Sequence, residues 1–126
     1  MLLKNIILRK TDSFENAIQD WAELNKINHE IFDGSQELYE LADAIVLFHE
    51  DYTISKDAAS LKDLFSNNGK FSHSIDVNGT LMASVSSFVF WLENHKPKSV
   101  LIIGSDKLIE NKKFKTYLER LGERIK

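Results

Sequence analysis

The sequence predicts an α/β fold: a three-layer domain with an open, mostly parallel five-stranded sheet of flavodoxin-like or Rossmann-like type and helices on both faces. Three observations predict it. Five short runs of apolar or alternating character are separated by four stretches with helical spacing, and a fifth helical stretch closes the chain. Residues 44–48 and 100–104 are apolar without interruption, as expected of strands covered on both faces. A length of 126 residues with 43% hydrophobic and 28% charged side chains suits one domain, residues 1–126, able to bury a single core.

Taken in order, strands are expected at 3–9 ("LKNIILR"), 27–32 ("INHEIF"), 44–49 ("AIVLFH"), 70–76 ("KFSHSID") and 99–104 ("SVLIIG"). The first helix should begin at Asp12, because Asp12 as N-cap and Glu15 three residues later form a capping box. Phe14, Ala17, Ile18, Trp21 and Leu24 then fall on one face. A short helix follows "DGS", with Leu38 and Leu41 inward. Ser55 caps the third helix, whose Ala58, Leu61, Leu64 and Phe65 face inward until "NNG" ends it at Gly69. Asn78 as N-cap and Gly79 open the fourth, which Pro97 ends. The fifth runs from about Asp106 to Arg124, with a break expected near Asn111.

The second and fourth strands alternate with polar residues and are expected nearer the edges. The commonest strand order for this topology is 2-1-3-4-5, and the polarity pattern slightly favours 2-1-3-5-4. Both orders place the first and third strands side by side. No internal repeat, low-complexity segment or linker interrupts the chain.

Composition removes several function classes. A net charge of −3 provides no basic field for nucleic acid. The lysines and arginines of "NKKFKTYLERLGERIK" are interspersed with acids and read as a solvated helix face. With no cysteine, thiol catalysis, disulfides and thiolate metal sites are excluded. "MLLKNIILRK" is too short and too broken by Lys4 and Asn5 for a signal peptide, and no apolar run reaches membrane-spanning length. A cytoplasmic protein without membrane or nucleic-acid partners is expected.

Ligands of open parallel sheets bind beyond the carboxyl ends of the strands. That rim carries Arg9, Lys10 and Thr11, then Asp33, then His49, Glu50 and Asp51 of "VLFHEDYT", then Asp76, Asn78 and Thr80, and finally Ser105 and Asp106. "LRKTDSFEN" contains no glycine, so neither a P-loop nor a dinucleotide fingerprint follows the first strand. A receiver-type Mg²⁺ site would need acids where Arg9 and Lys10 stand. His49, Glu50 and Asp51 read chiefly as the wet rim of a central strand, since successive side chains alternate sides.

The anchor of a ligand site is expected at Asn78, Gly79 and Thr80 and at Ser105 and Asp106, with His49 or Asp51 at its margin. The "NGT" segment leads into a helix and leaves backbone N–H groups facing the crevice, which suits a phosphate or carboxylate. Over those three residues it is similar to the "DGT" loops of nucleoside deoxyribosyltransferases. Their catalytic Glu would fall at Ala83, so the likeness implies no activity.

His29 and His95 have structural explanations in a strand and at a helix end. His49 and His73 are the pair that could approach across the sheet, but without metal-ligand spacing, and no G-x-S-x-G elbow places Ser105 in a triad with His49. No catalytic residue, metal ligand or cofactor is assigned. From Gly79 to Leu92 the fourth helix has no charge. Leu81, Met82, Val85, Phe88, Val89 and Leu92 form its inward arc, leaving Phe90 and Trp91 as an expected contact surface.

The reading is a non-catalytic interaction or regulatory domain, self-associating or meeting a protein partner through the fourth helix, with an optional small anionic ligand at the sheet's C-terminal rim. The alternative is a small enzyme acting on a nucleotide-like or phosphorylated molecule at the same rim.

Overall fold

A computed structural model describes all 126 residues. The elements alternate as β1 (Asn5–Leu8), α1 (Ser13–Leu24), β2 (Asn28–Ile31), α2 (Leu38–Leu41), β3 (Ala44–His49), α3 (Lys56–Asn67), β4 (Phe71–Asp76), α4 (Leu81–His95) and β5 (Val100–Ile103). A 3-10 helix at Asp106–Glu110 and then α5 (Lys112–Arg124) complete the chain. The break near Asn111 is therefore real. It occurs because Asn111 Oδ1 accepts from Lys113 N–H at 2.9 Å and caps a new helix.

All five strands are parallel, in the order β2-β1-β5-β3-β4. The alternating strands β2 and β4 lie at the edges as expected. The expected adjacency of β1 and β3 is wrong, because β5 lies between them, with Ile6 opposite Val100 on one side and Val46 opposite Ile102 on the other. The cause is burial. Once β2 and β4 take the edges beside the strands that precede them, the fully buried β5 fits only in the centre.

Two cores follow from this order. Phe14, Ile18, Val85, Phe88, Phe114 and Tyr117 bring α1, α4 and α5 onto one face. Phe65 with the half-buried Leu38, Leu41 and Leu61 brings α2 and α3 onto the other. Chain segments moving one way along the sheet use one face, and those moving back use the other, as right-handed crossovers require. The chain leaves β1 toward β2 and β3 toward β4, in opposite directions, so the sheet parts around the end of β5. Gly104 follows directly, and a Cβ there would lie 2.5 Å from the Phe14 ring. Only glycine lets α1 close over the end of β5.

Several facing assignments need correction. In α1, Leu24 is exposed and Ala22 is buried, because at about 100° per residue Ala22 lies nearer Ile18. In α3, Ser55 caps as expected, its Oγ accepting from Ala58 N–H at 3.1 Å, but Leu64 lies outward. In α4 the buried arc is rotated toward Trp91, which is buried, while Met82 is exposed. Trp91 stacks near Phe88 and His73, with centroids 5.8 and 5.4 Å away, and so covers the edge strand β4. It is a core residue and no contact surface. Phe90 alone of the pair is exposed, at 64%.

Candidate functional site

At the C-terminal ends of β1, β3 and β5, where the sheet parts, lies a crevice of about 270 Å³. This is where the topology directs a ligand. Its floor is apolar, with Leu47, Ile54, Ala58, Ile103 and Leu108. Its polar wall comprises Arg9, His49, Ser55, Ser105 and Lys107, with Glu50 at one side.

Three polar side chains of the wall each accept a backbone hydrogen bond. Ser55 Oγ accepts from Ala58 N–H, and Ser105 Oγ accepts from Lys107 N–H, both at 3.1 Å. Each hydroxyl keeps its O–H free to donate. His49 Nδ1 accepts from Tyr52 N–H at 3.2 Å, which puts the proton of the neutral ring on Nε2. Burial lowers the His49 pKa below its ordinary value, opposed by the nearby Asp76 carboxylate, so the ring is neutral at pH 7. His49 is only 4% exposed, so the expectation of a wet rim fails for it; it turns inward on the face opposite Phe48.

Arg9 continues β1 into the crevice. One Nη donates to Asp57 in the first turn of α3 at 2.6 Å, and this guanidinium holds the Asp57 carboxyl below the usual carboxylate range. The Nε–H of Arg9 is buried and has no acceptor. Charge-bearing donors are rarely left so, because the desolvation cost goes unrecovered.

Glu50 and Asp51 serve the loops. Glu50 accepts from Asn111 Nδ2 at 2.8 Å, and Asp51 accepts from Asn78 Nδ2 at 3.0 Å. The anchor residues expected from sequence divide. Ser105 and His49 line this crevice, whereas Gly79 and Thr80 line a second one beside it, to which His49 also contributes. Asn78 is not the N-cap of α4, because Thr80 takes that place; its side chain ties Asp51 to Asn111 instead. Asp106 caps a helix remote in sequence, its Oδ1 accepting from Phe14 N–H at 2.9 Å.

That contact replaces the expected Asp12–Glu15 box. Asp12 makes no cap bond and pairs with Lys10 at 3.0 Å. Glu15 is 1% exposed with neither carboxylate oxygen hydrogen-bonded, and burial raises its pKa. His49 and His73 do not meet, since His73 stacks on Phe88 across the opposite face of the sheet. Arg9 stands on the rim expected from sequence but not among its expected anchors, and Lys107 was not expected there. The signal available was that both are cations at the ends of interior strands.

No protein-family model matches the chain, and no curated protein matches it. Among solved structures, a "putative molybdenum carrier protein" from Syntrophus aciditrophicus SB is similar. The similarity spans 96% of this chain and 95% of that one, with a TM-score of 0.64 and 14% identity. At that identity the likeness is one of fold. No helix is long and apolar enough to cross a membrane.

Proposed function

We propose that this protein binds a small anionic molecule in the crevice at the ends of β1, β3 and β5, and does so as a binding or regulatory module without catalysis. The observation that carries the reading is Arg9, which lines the crevice and whose buried Nε–H has no acceptor within the protein. An anionic oxygen in the crevice meets the Arg9 guanidinium, with Ser55, Ser105, Lys107 and His49 as further donors. Arginine suits this task because its planar fork can hold two oxygens of one carboxylate or phosphate. The apolar floor accommodates the rest of a small ligand.

The donors around the crevice lack the arrangement of a nucleophile, a base and an orienting acid, which favours binding over catalysis. The structurally similar protein is described as a carrier, which supports the same preference.

Calorimetric titration with ribose 5-phosphate and inorganic phosphate tests the reading. Wild-type binding should weaken ten- to a hundredfold in Arg9→Met, as expected on losing a hydrogen bond to a charged group, and less in Arg9→Lys. Binding that survives Arg9→Met and is lost in Thr80→Ala would place the site in the second crevice and reject this one.

A further inference from the structure

The second crevice, about 550 Å³ and wider, shares the lining residues His49 and Ile54 with the first. Tyr52, Lys62, Ser74, Asp76 and Thr80 line it. Tyr52 is 82% exposed, and its ring leans on His49 with centroids 5.4 Å apart and planes 38° from parallel. One side of the ring thus rests on a buried imidazole, and the remainder is open.

The backbone holding that ring is unusual. Asp51 and Tyr52 have positive φ values of 49° and 62° and form the centre of a tight turn, closed by Thr53 N–H donating to the Glu50 carbonyl at 2.8 Å. Turns with two left-handed central residues favour Asn-Gly, and a tyrosine there is sterically disfavoured. Three side chains hold the turn nevertheless. Asp76 Oδ1 accepts from Asp51 N–H at 3.0 Å, His49 Nδ1 accepts from Tyr52 N–H at 3.2 Å, and Asn78 Nδ2 donates to Asp51 at 3.0 Å. A strained turn is over-determined here, and its product is an aromatic ring in water that gains little burial. Strain of this kind clusters at ligand clamps and active sites.

We infer that Tyr52 is a stacking platform, and that the ligand is a planar heteroaromatic ring joined to an anionic group, with the ring on Tyr52 and the anion at Arg9. This inference rests on the anion site proposed above. Lys62 and the hydroxyls of Ser74 and Thr80 offer hydrogen bonds to the nitrogens and carbonyls of such a ring. A pure hydrocarbon ring would leave them unpaired. His49 and Ile54 line both crevices, so the two adjoin, and the two-part ligand is the one that would span them.

The experiment titrates wild type, Tyr52→Phe, Tyr52→Gly and Arg9→Met with ribose 5-phosphate, adenosine, the purine and pyrimidine nucleoside monophosphates and flavin mononucleotide. Base stacking on an aromatic ring predicts that the best ring-bearing phosphate binds at least about tenfold more tightly than ribose 5-phosphate. Tyr52→Phe should keep that margin. Tyr52→Gly should abolish the margin, bringing the ring-bearing phosphates to the affinity of ribose 5-phosphate, without lowering thermal stability, because glycine suits the turn. Equal binding of ribose 5-phosphate and every ring-bearing phosphate, dependent on Arg9, overturns the stacking inference alone. Adenosine binding as tightly as its monophosphate, whatever stands at position 9, overturns the anion reading and with it the two-part ligand. Absence of all binding overturns both.

Discussion

Asn78 and Asn111 meet side chain to side chain, with Asn111 Nδ2 donating to Asn78 Oδ1 at 2.9 Å across 33 positions of sequence. Asn111 also donates to Glu50, and Asn78 to Asp51. These bonds join the loops that follow β3, β4 and β5 into one rim. They explain how a turn with two left-handed residues keeps its shape beside the candidate site.

The first prediction concerns this junction. Asn78→Ala and Asn111→Ala should each lower stability by about 1–2 kcal/mol, because partners are left without hydrogen bonds. The double variant should cost less than the sum, with a coupling of about 0.5–1 kcal/mol in urea unfolding. Strict additivity would show that the two side chains do not act together.

Glu15 gives the second. Its carboxyl, buried and unpartnered, has a folded pKa raised above the ordinary 4.5. As pH rises past 4.5 the unfolded chain releases this proton first, so the folded state loses relative stability until the raised pKa is passed. Glu15→Met should therefore stabilise the protein at neutral pH by about 1–3 kcal/mol, with little gain below pH 4. His49 and His73 act in the opposite sense. Both have pKa values lowered from 6.5, chiefly by burial, so stability in either protein should fall as pH drops below about 6.5. Thermal unfolding across pH 4–8 reads both slopes.

Asp57 already holds part of the Arg9 guanidinium. Its replacement by Asn should raise affinity for ribose 5-phosphate several-fold, because an internal carboxylate no longer competes for that cation. The stability cost should stay near 0.2–1 kcal/mol, as for other exposed ion pairs. Weaker binding in Asp57→Asn would mean that the pair positions Arg9 for the ligand.

The last prediction separates Phe90 from Trp91. Trp91→Ala should cost about 3–5 kcal/mol, since it empties the cover over β4. Phe90→Ser should change stability by no more than about 0.5 kcal/mol. If the outer face of α4 joins two copies, sedimentation of Phe90→Ser will show a lower average mass than wild type at equal concentration. Equal masses would remove self-association through Phe90.

Local pattern determined a large part of this protein. The order and type of the elements, the edge positions of β2 and β4, the Ser55 cap and the break at Asn111 were legible, because each depends on spacing and polarity within a few residues. The position of β5 between β1 and β3 was not, although the apolarity that places it there was. Cap identity was misread where a distant residue outcompeted the near one: Asp106 reaches Phe14 N–H across 92 positions, and Glu15 loses its expected partner to burial. The candidate site belongs to the same class. Arg9, Ser55 and Ser105 stand on three elements far apart in sequence, and only the parting of the sheet around β5 brings them to one crevice. Periodicity is a property of neighbours along the chain. A buried donor without an acceptor is a property of distances between elements, and those are set only when the layers pack.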